Sequence, residues 1–380
     1  MNIAYVTSYN ADDLSKFSGL GHNIWRALDN QYLSITKVGN LKEKFHNLLA
    51  VKDRLYNRYA NKKYYRDREI CVSKGYAKQV QERLKNSNFD IIFSPGTLPI
   101  AFLDYSKPIA FWTDSTFGGM VDFYPAYSNL CSETIKSGNI IESQALKRCG
   151  LAIYSSDWAA KTAIDYYDVD PKKVKVVPFG ANLPCDRKIG DIELLLKTRP
   201  RNKCKLLFVG VDWYRKGGDI ALAVASRLNQ IGLETELKIV GCLPSDTRGL
   251  PDFVKIQGYI SKKNADGIKM LNNLFADSHF FIMPSRFEAY GVVFCEASSF
   301  GVPSIASVVG GIPTAVKDGI NGKLFPLNSD IEEYSSFIVD CFSNYENYEN
   351  LALSSFFEYQ SRLNWGVSGK IVKKHLKNIL

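Results

Sequence analysis

Two glutamates separated by seven residues, Glu288 and Glu296, flank Gly291 in the stretch Phe287-Glu288-Ala289-Tyr290-Gly291-Val292-Val293-Phe294-Cys295-Glu296-Ala297. The stretch follows an apolar run at 279–284 with the length and composition of a buried strand. The pattern predicts a strand-to-helix turn, with a helix beginning near Gly291. First-turn N–H groups of such a helix, at Val292 and Val293, have no intrahelical partner, and together with the helix dipole they suit a diphosphate. Glu288, just ahead of the turn, would reach hydroxyls of a sugar carried on that diphosphate. Glu296, more than a turn inside, has two acceptor oxygens to offer the vicinal 2′ and 3′ hydroxyls of a ribose. The alternative is a solvated helix face with ordinary carboxylates. Against it, Glu296 follows directly on the apolar run Val292-Val293-Phe294-Cys295.

Residues of this kind need a framework that brings loops together, and the chain supplies two. At 380 residues it exceeds what one hydrophobic core usually organises. Short β-rich runs alternate with longer amphipathic ones, the pattern of a parallel α/β sheet. Strands are expected at 2–8, 33–38, 90–94, 108–113, 151–155 and 173–178, and again at 205–211, 236–240, 253–257, 279–284 and 303–307. Helices are expected at 23–29, 77–85, 135–148, 158–166, 219–231, 265–276 and 292–300. The run 179–203 shows no periodicity and carries Pro184, Pro200 and many charges, so it reads as a linker. The expected organisation is an N-terminal Rossmann-like domain over 1–183, a linker over 184–203, and a C-terminal Rossmann-like domain over 204–360. A C-terminal helix over 361–380 would pack back across both, with Trp365 near the crossing. Ligands of such open sheets bind at the carboxyl ends of the strands, here in an interdomain cleft.

The glutamate pair resembles that of the retaining glycosyltransferases of family 4, which have the GT-B fold: α/β, two Rossmann-like domains with parallel sheets facing an interdomain cleft. The likeness extends to Phe208-Val209-Gly210 followed by Arg215-Lys216-Gly217-Gly218, similar to the family's first C-terminal strand and basic loop. There a lysine neutralises the donor diphosphate, which makes Lys216 the implied residue, with Arg215 beside it. Fixed cations at that place lower the barrier as the leaving group gathers charge. Gly258-Tyr259-Ile260 falls where the family places its base pocket. Val240-Gly241, Val309-Gly310-Gly311-Ile312-Pro313 and Asp318-Gly319-Ile320-Asn321-Gly322 also match, and Val177-Pro178-Phe179-Gly180-Ala181-Asn182 is similar to the segment entering the linker. The chain departs from the family at Val211-Asp212-Trp213, where many members carry an arginine.

In the first half, Ser18-Gly19-Leu20-Gly21-His22-Asn23 lies where the family's glycine loop faces the donor phosphates, which implies that role for Gly19 and Gly21. A tight turn is the alternative. As a dinucleotide fingerprint the segment fails, because Ile24 stands where Gly or Ala completes the motif. Phe111-Trp112-Thr113-Asp114 ends a buried run at a point where relatives place a histidine or aspartate on the sugar or acceptor. Asp114 is thus a candidate partner for the acceptor hydroxyl, with a helix N-cap as the alternative. Asp168-Val169-Asp170 has the spacing of a metal-binding DxD motif, yet Pro171 places it in a turn. His22, His46, His279 and His375 are dispersed, and His279 opens a buried strand. No metal and no cofactor is expected.

The resemblance implies transfer of a sugar from a nucleotide-diphosphate sugar to an acceptor hydroxyl with retention at the anomeric carbon, in bacterial surface glycan or glycolipid synthesis. A sugar-nucleotide epimerase or hydrolase of the same fold would need added acid/base residues at the anomeric region. A non-catalytic nucleotide-sugar-binding subunit would not need the intact pair. Composition agrees with a soluble protein: 46% hydrophobic and 23% charged residues, eight scattered cysteines without CxxC spacing, and no apolar run near bilayer length. A cytoplasmic location is expected, with no nucleic-acid partner. The net charge of +9 is concentrated in residues 42–85, where thirteen Lys/Arg face five Asp/Glu among six Phe and Tyr. That stretch is expected either to lie on an anionic membrane surface, at the inner face and near a lipid-linked glycan acceptor, with Lys62, Lys63, Arg66 and Arg68 on headgroups, or to be a solvated charged helix.

Overall fold

Near-continuous apolar runs such as Ile91–Ser94 and Ile109–Thr113 bury both faces, which is what a parallel sheet covered by helices demands. A computed structural model describes residues 1–244 and 246–380 and divides them into two units, Met1–Pro178 with Trp365–Leu380, and Phe179–Asn364.

The first unit contains β1 (Asn2–Val6), β2 (Ser34–Val38), β3 (Ile91–Ser94), β4 (Ile109–Thr113), β5 (Leu151–Tyr154) and β6 (Val174–Val176). They form one sheet in the order β2-β1-β3-β4-β5-β6, parallel throughout. The second unit contains β7 (Cys204–Gly210), β8 (Thr235–Gly241), β9 (Val254–Gly258), β10 (Phe280–Met283), β11 (Ser304–Ser307) and β12 (Gly322–Phe325). Their order is β12-β11-β10-β7-β8-β9, again all parallel. The winding direction reverses at β1/β3 in one sheet and at β7/β10 in the other. Loops leaving those strands diverge there and open a crevice.

The strands expected from sequence are present, and among the elements not placed from sequence three bear on the fold. The edge strand β12 pairs only with β11, and its residues Gly322-Lys323-Leu324-Phe325, buried only at the two ends, make no continuous apolar run. The supposed linker contains a helix, Ile189–Thr198, whose buried residues Ile192 and Leu196 are four apart, and at whose start Asp191 accepts the Lys188 N–H (2.8 Å). A second helix, His46–Leu55, lies in the basic stretch. After Ile331 the chain is helical, as expected, in Ile331–Ser343, Tyr345–Ser361 and Trp365–Lys377. The last of these belongs to the first unit. Its Gly369 lies so close to the carbonyl of Ala27 that a Cβ would sit 2.4 Å from that oxygen, and Trp365 packs edge-on against Trp112 at 5.6 Å between ring centres. Among the described residues no helix is long and apolar enough to cross a membrane, and all eight cysteines are free thiols.

Candidate functional site

In the second unit, the loops that follow β7 and β10 are bound to each other. The first folds as a turn in which the Gly218 N–H donates to Trp213 O (2.8 Å) and the Lys216 N–H to Asp212 O (3.2 Å). Gly217 adopts φ +75°, and a Cβ there would lie 2.2 Å from Pro284 O, so this turn lies directly against the end of β10. Arg286 holds the two loops together: its N–H donates to Arg215 O (2.8 Å), and its guanidinium grips Asp219 through two 2.8 Å hydrogen bonds and donates to Tyr214 O (2.6 Å). The bidentate contact with Arg286 lowers the Asp219 pKa.

This clamp sets Lys216 against Glu288. The two are buried together, with Lys216 Nζ hydrogen-bonded to Glu288 Oε2 and Arg215 Nη1 3.8 Å from the same oxygen. Arg215 also donates to Phe287 O (3.2 Å) and lies 3.5 Å from Asp212. Asp212, in the segment that departs from the family pattern, thus holds Arg215 in the loop; its Oδ1 accepts the Arg215 N–H at 3.0 Å. The stem of Lys216 passes over Gly210, where a Cβ would come within 3.1 Å of it.

Gly291, at φ +86°, turns the chain into the helix Val292–Ser298, so Val292 and Val293 occupy its first turn as the sequence predicts. Glu296 is fully buried on that helix. One of its oxygens pairs with Lys262, and the other, Oε2, is buried with no hydrogen-bond partner. A buried carboxylate oxygen without a donor loses its hydration for nothing in return unless a ligand hydroxyl supplies one. Lys262 lies just beyond Tyr259, which is 73% exposed after β9. Lys262 and Arg286 were missed by sequence reasoning; Lys262 follows the Gly258-Tyr259-Ile260 motif closely, and Arg286 stands two residues before Glu288.

In the first unit, the carboxyl ends of β1, β3 and β4 surround a cavity of about 340 Å³, lined by Thr7, Tyr9, Ser94, Thr97, Asp114 and Thr116 among others. Asp114 is a wall residue that accepts from Ser115 Oγ (3.1 Å). It is not the N-cap of the following helix: Thr116 caps Phe117–Met120 by accepting the Gly119 N–H. Glu142, not singled out in the sequence, and Arg68, expected there on a membrane surface, also reach this cavity. Glu142 accepts from Thr97 Oγ1 (2.6 Å) through one oxygen while Oε1 is buried without a partner, and burial raises its pKa. Gly19 and Gly21 border the same region in different ways. Gly19 follows Phe17 and Ser18 in a left-handed run and starts the helix Leu20–Asp29 at φ +76°. Gly21 makes room for Tyr9, whose hydroxyl would lie 2.2 Å from a Cβ there.

The remaining motifs have structural roles. Asp168 ends a helix in the left-handed conformation, and Asp170 accepts the Lys172 N–H at the start of the next turn. Among the described residues no group of three or more His, Cys, Asp or Glu is arranged to hold a metal ion. His279 is buried: its Nδ1 accepts from the Lys205 N–H (3.0 Å), so its Nε2–H donates to Pro200 O (3.0 Å), and burial lowers its pKa to about 3.

Residues 197–353 match the model of the family described as glycosyl transferases group 1. Among curated proteins the chain is similar to D-inositol 3-phosphate glycosyltransferase of Mycolicibacterium paratuberculosis, 30% identical over 190 residues, which is 48% of this chain and 42% of that protein. The chain therefore spans less than half the length of that relative. Solved structures align over nearly their whole length. Sucrose-phosphate synthase of Thermosynechococcus elongatus superimposes with a TM-score of 0.70 at 16% identity, covering 100% of this chain and 98% of that one. WaaG, a glycosyltransferase involved in lipopolysaccharide biosynthesis, gives 0.65 at 16% identity, covering 98% and 99%. HepE of Anabaena in complex with UDP-glucose gives 0.62 at 15%, covering 100% of both. The fold is GT-B.

Proposed function

We propose that this chain is a glycosyltransferase that moves a sugar from a nucleotide-diphosphate sugar to an acceptor hydroxyl with retention of anomeric configuration, in bacterial surface glycan or glycolipid synthesis. The observation that carries the reading is the pairing of a buried Lys216–Glu288 contact with a buried Glu296 whose Oε2 has no donor, inside the stretch that matches glycosyl transferases group 1. In this reading the ribose 2′ and 3′ hydroxyls supply donors to Glu296, and Lys262 holds that carboxylate in place. Lys216 and Arg215, with the N–H groups of Val292 and Val293, meet the diphosphate, and Tyr259 lies beside the base. Glu288 orients the sugar. With Lys216 beside it, Glu288 is a weak nucleophile, which favours a same-face route in which the departing phosphate oxygen takes the acceptor proton. Each role is positioning or electrostatic and needs no metal.

The acceptor is assigned to the cavity of the first unit. Its hydroxyl-rich wall, Asp114 and the open oxygen of Glu142 suit a polyhydroxylated molecule. Gly19 and Gly21 shape the loop beside Tyr9 and Phe17 on the wall of that cavity. Because HepE was solved with UDP-glucose, UDP-sugars are the first donors to try. The reading is tested by screening UDP-, GDP- and ADP-sugars for thermal stabilisation, then determining the anomeric configuration of the product by NMR. Stabilisation by one nucleotide class and a retained anomer are expected. Inversion would remove the same-face route, and stabilisation by no class would remove the donor site.

A further inference from the structure

On the surface of the first unit one helix has its polarity reversed. His46–Leu55 continues into a wider turn, Tyr56–Ala60. Apart from buried Leu49, its inward side is polar. Lys52 is tied to Glu69 (2.8 Å) and to Glu133, and the Tyr56 hydroxyl donates to Glu133 (2.9 Å) while its ring stacks on Tyr64 at 5.3 Å. Its outward side is apolar. Leu48, Val51 and Leu55, at i, i+3 and i+7, are 69%, 52% and 51% exposed, with Phe45 at 57% before them and Tyr59 at 77% after. A surface helix of a globular protein does the opposite, and a contiguous apolar row, unlike a single exposed residue, marks a binding face.

The exposed charges over residues 44–62 have one sign. Lys44, Arg54, Arg58 and Lys62 are exposed, while Asp53 is half-buried and accepts from Asn57 (2.8 Å), and Glu43, just ahead, is half-buried beside His46 (3.1 Å). We propose that this face docks on an anionic lipid bilayer, with Leu48, Val51, Leu55 and Tyr59 at the headgroup boundary and the four cations on lipid phosphates. A second copy of the chain seated on the same face would set these cations against their own kind, which disfavours self-association. The cations differ from those expected from sequence. Lys63 Nζ donates to Pro125 O (2.7 Å), Arg68 lines the cavity and Arg66 is half-buried, so Lys62 alone of that set stays.

The test is co-sedimentation of the full chain with phosphatidylcholine vesicles and with vesicles that also contain phosphatidylglycerol. Binding should be stronger to the anionic vesicles and fall with salt. Arg54→Glu/Arg58→Glu should lower the partition coefficient on the order of 30-fold. Leu48→Gln/Leu55→Gln should lower it on the order of 10-fold or more. Both pairs replace exposed side chains, and an unchanged thermal midpoint shows that each variant is folded. Equal binding to both vesicle types, wild-type binding by Leu48→Gln/Leu55→Gln, or a concentration-dependent dimer dissolved by that variant without vesicle binding would overturn the proposal.

Discussion

Lys216 and Glu288 stabilise one another's charge away from water, so the two cannot be treated as independent groups. Removing Glu288 leaves Lys216 buried and uncompensated, at a cost of about 3–5 kcal/mol of stability, whereas removing Lys216 leaves Glu288 with Arg215 3.8 Å away and should cost less. Lys216→Ala and Glu288→Ala should each also lower turnover on the order of 10²-fold or more. The double variant Lys216→Met/Glu288→Gln should recover most of the stability and none of the activity; thermal melts beside turnover assays check this, and recovery of both would mean that the pair is structural. Glu296→Gln should weaken donor binding by about 1.5–3 kcal/mol while leaving kcat nearly unchanged. Calorimetric titration of donor reads the loss directly, and unaltered affinity would remove Glu296 from the site. Glu288, Glu296 and Lys216 were legible because each sits in a local motif after a recognisable strand. Their partners were not: Lys262 meets Glu296 across 34 positions, Arg286 meets Asp219 across 67, and Thr97 meets Glu142 across 45. Pairing over such separations depends on strand order, which periodicity does not give.

At the scale of elements, the loop after β7 holds its shape because Gly217 can adopt a left-handed φ against the Pro284 carbonyl. Gly217→Ala should destabilise the second unit by about 1–3 kcal/mol from backbone strain, with a further contribution from the clash. It should depress activity beyond the stability loss, because Lys216 is the adjacent residue; wild-type activity in a folded variant would separate the loop from the chemistry. His279, at the head of β10, is a second element-scale constraint. Burial holds its folded pKa near 3, below the ordinary 6.5. The unfolded chain therefore takes up a proton that the folded one refuses once the pH drops below about 6.5, and stability falls by about 1.4 kcal/mol per pH unit from this group until the folded pKa is reached. His279→Gln should show a shallower decline than wild type between pH 6.5 and 4 in chemical denaturation, and identical slopes would contradict the assignment. The strands were legible because fully buried runs such as β3, β4 and β10 have few other readings. The bounds of helix His46–Leu55 were not, since its apolar residues face water and its polar ones face the protein, the reverse of the pattern by which helices are delimited.

For the whole molecule, both sheets are doubly wound, though in different strand orders, and each places its loops at a switch point. The resemblance was strongest over about 204–326, within the second unit, and thinner in the first, where Glu142 had no motif to mark it and Arg68 was read as a surface cation. With Lys216 and Arg215 assigned to the diphosphate, activity should persist in EDTA; abolition by chelator, restored by a divalent cation, would reassign the charge stabilisation to a metal. The most direct measurement is nucleoside diphosphate release from UDP-, GDP- and ADP-sugars, with and without a mixed pool of carbohydrate acceptors, for wild type and Glu288→Ala. Release from one donor class that depends on acceptor and collapses in Glu288→Ala is the predicted result. Acceptor-independent release equal to the full rate, or no release from any donor, would contradict glycosyl transfer.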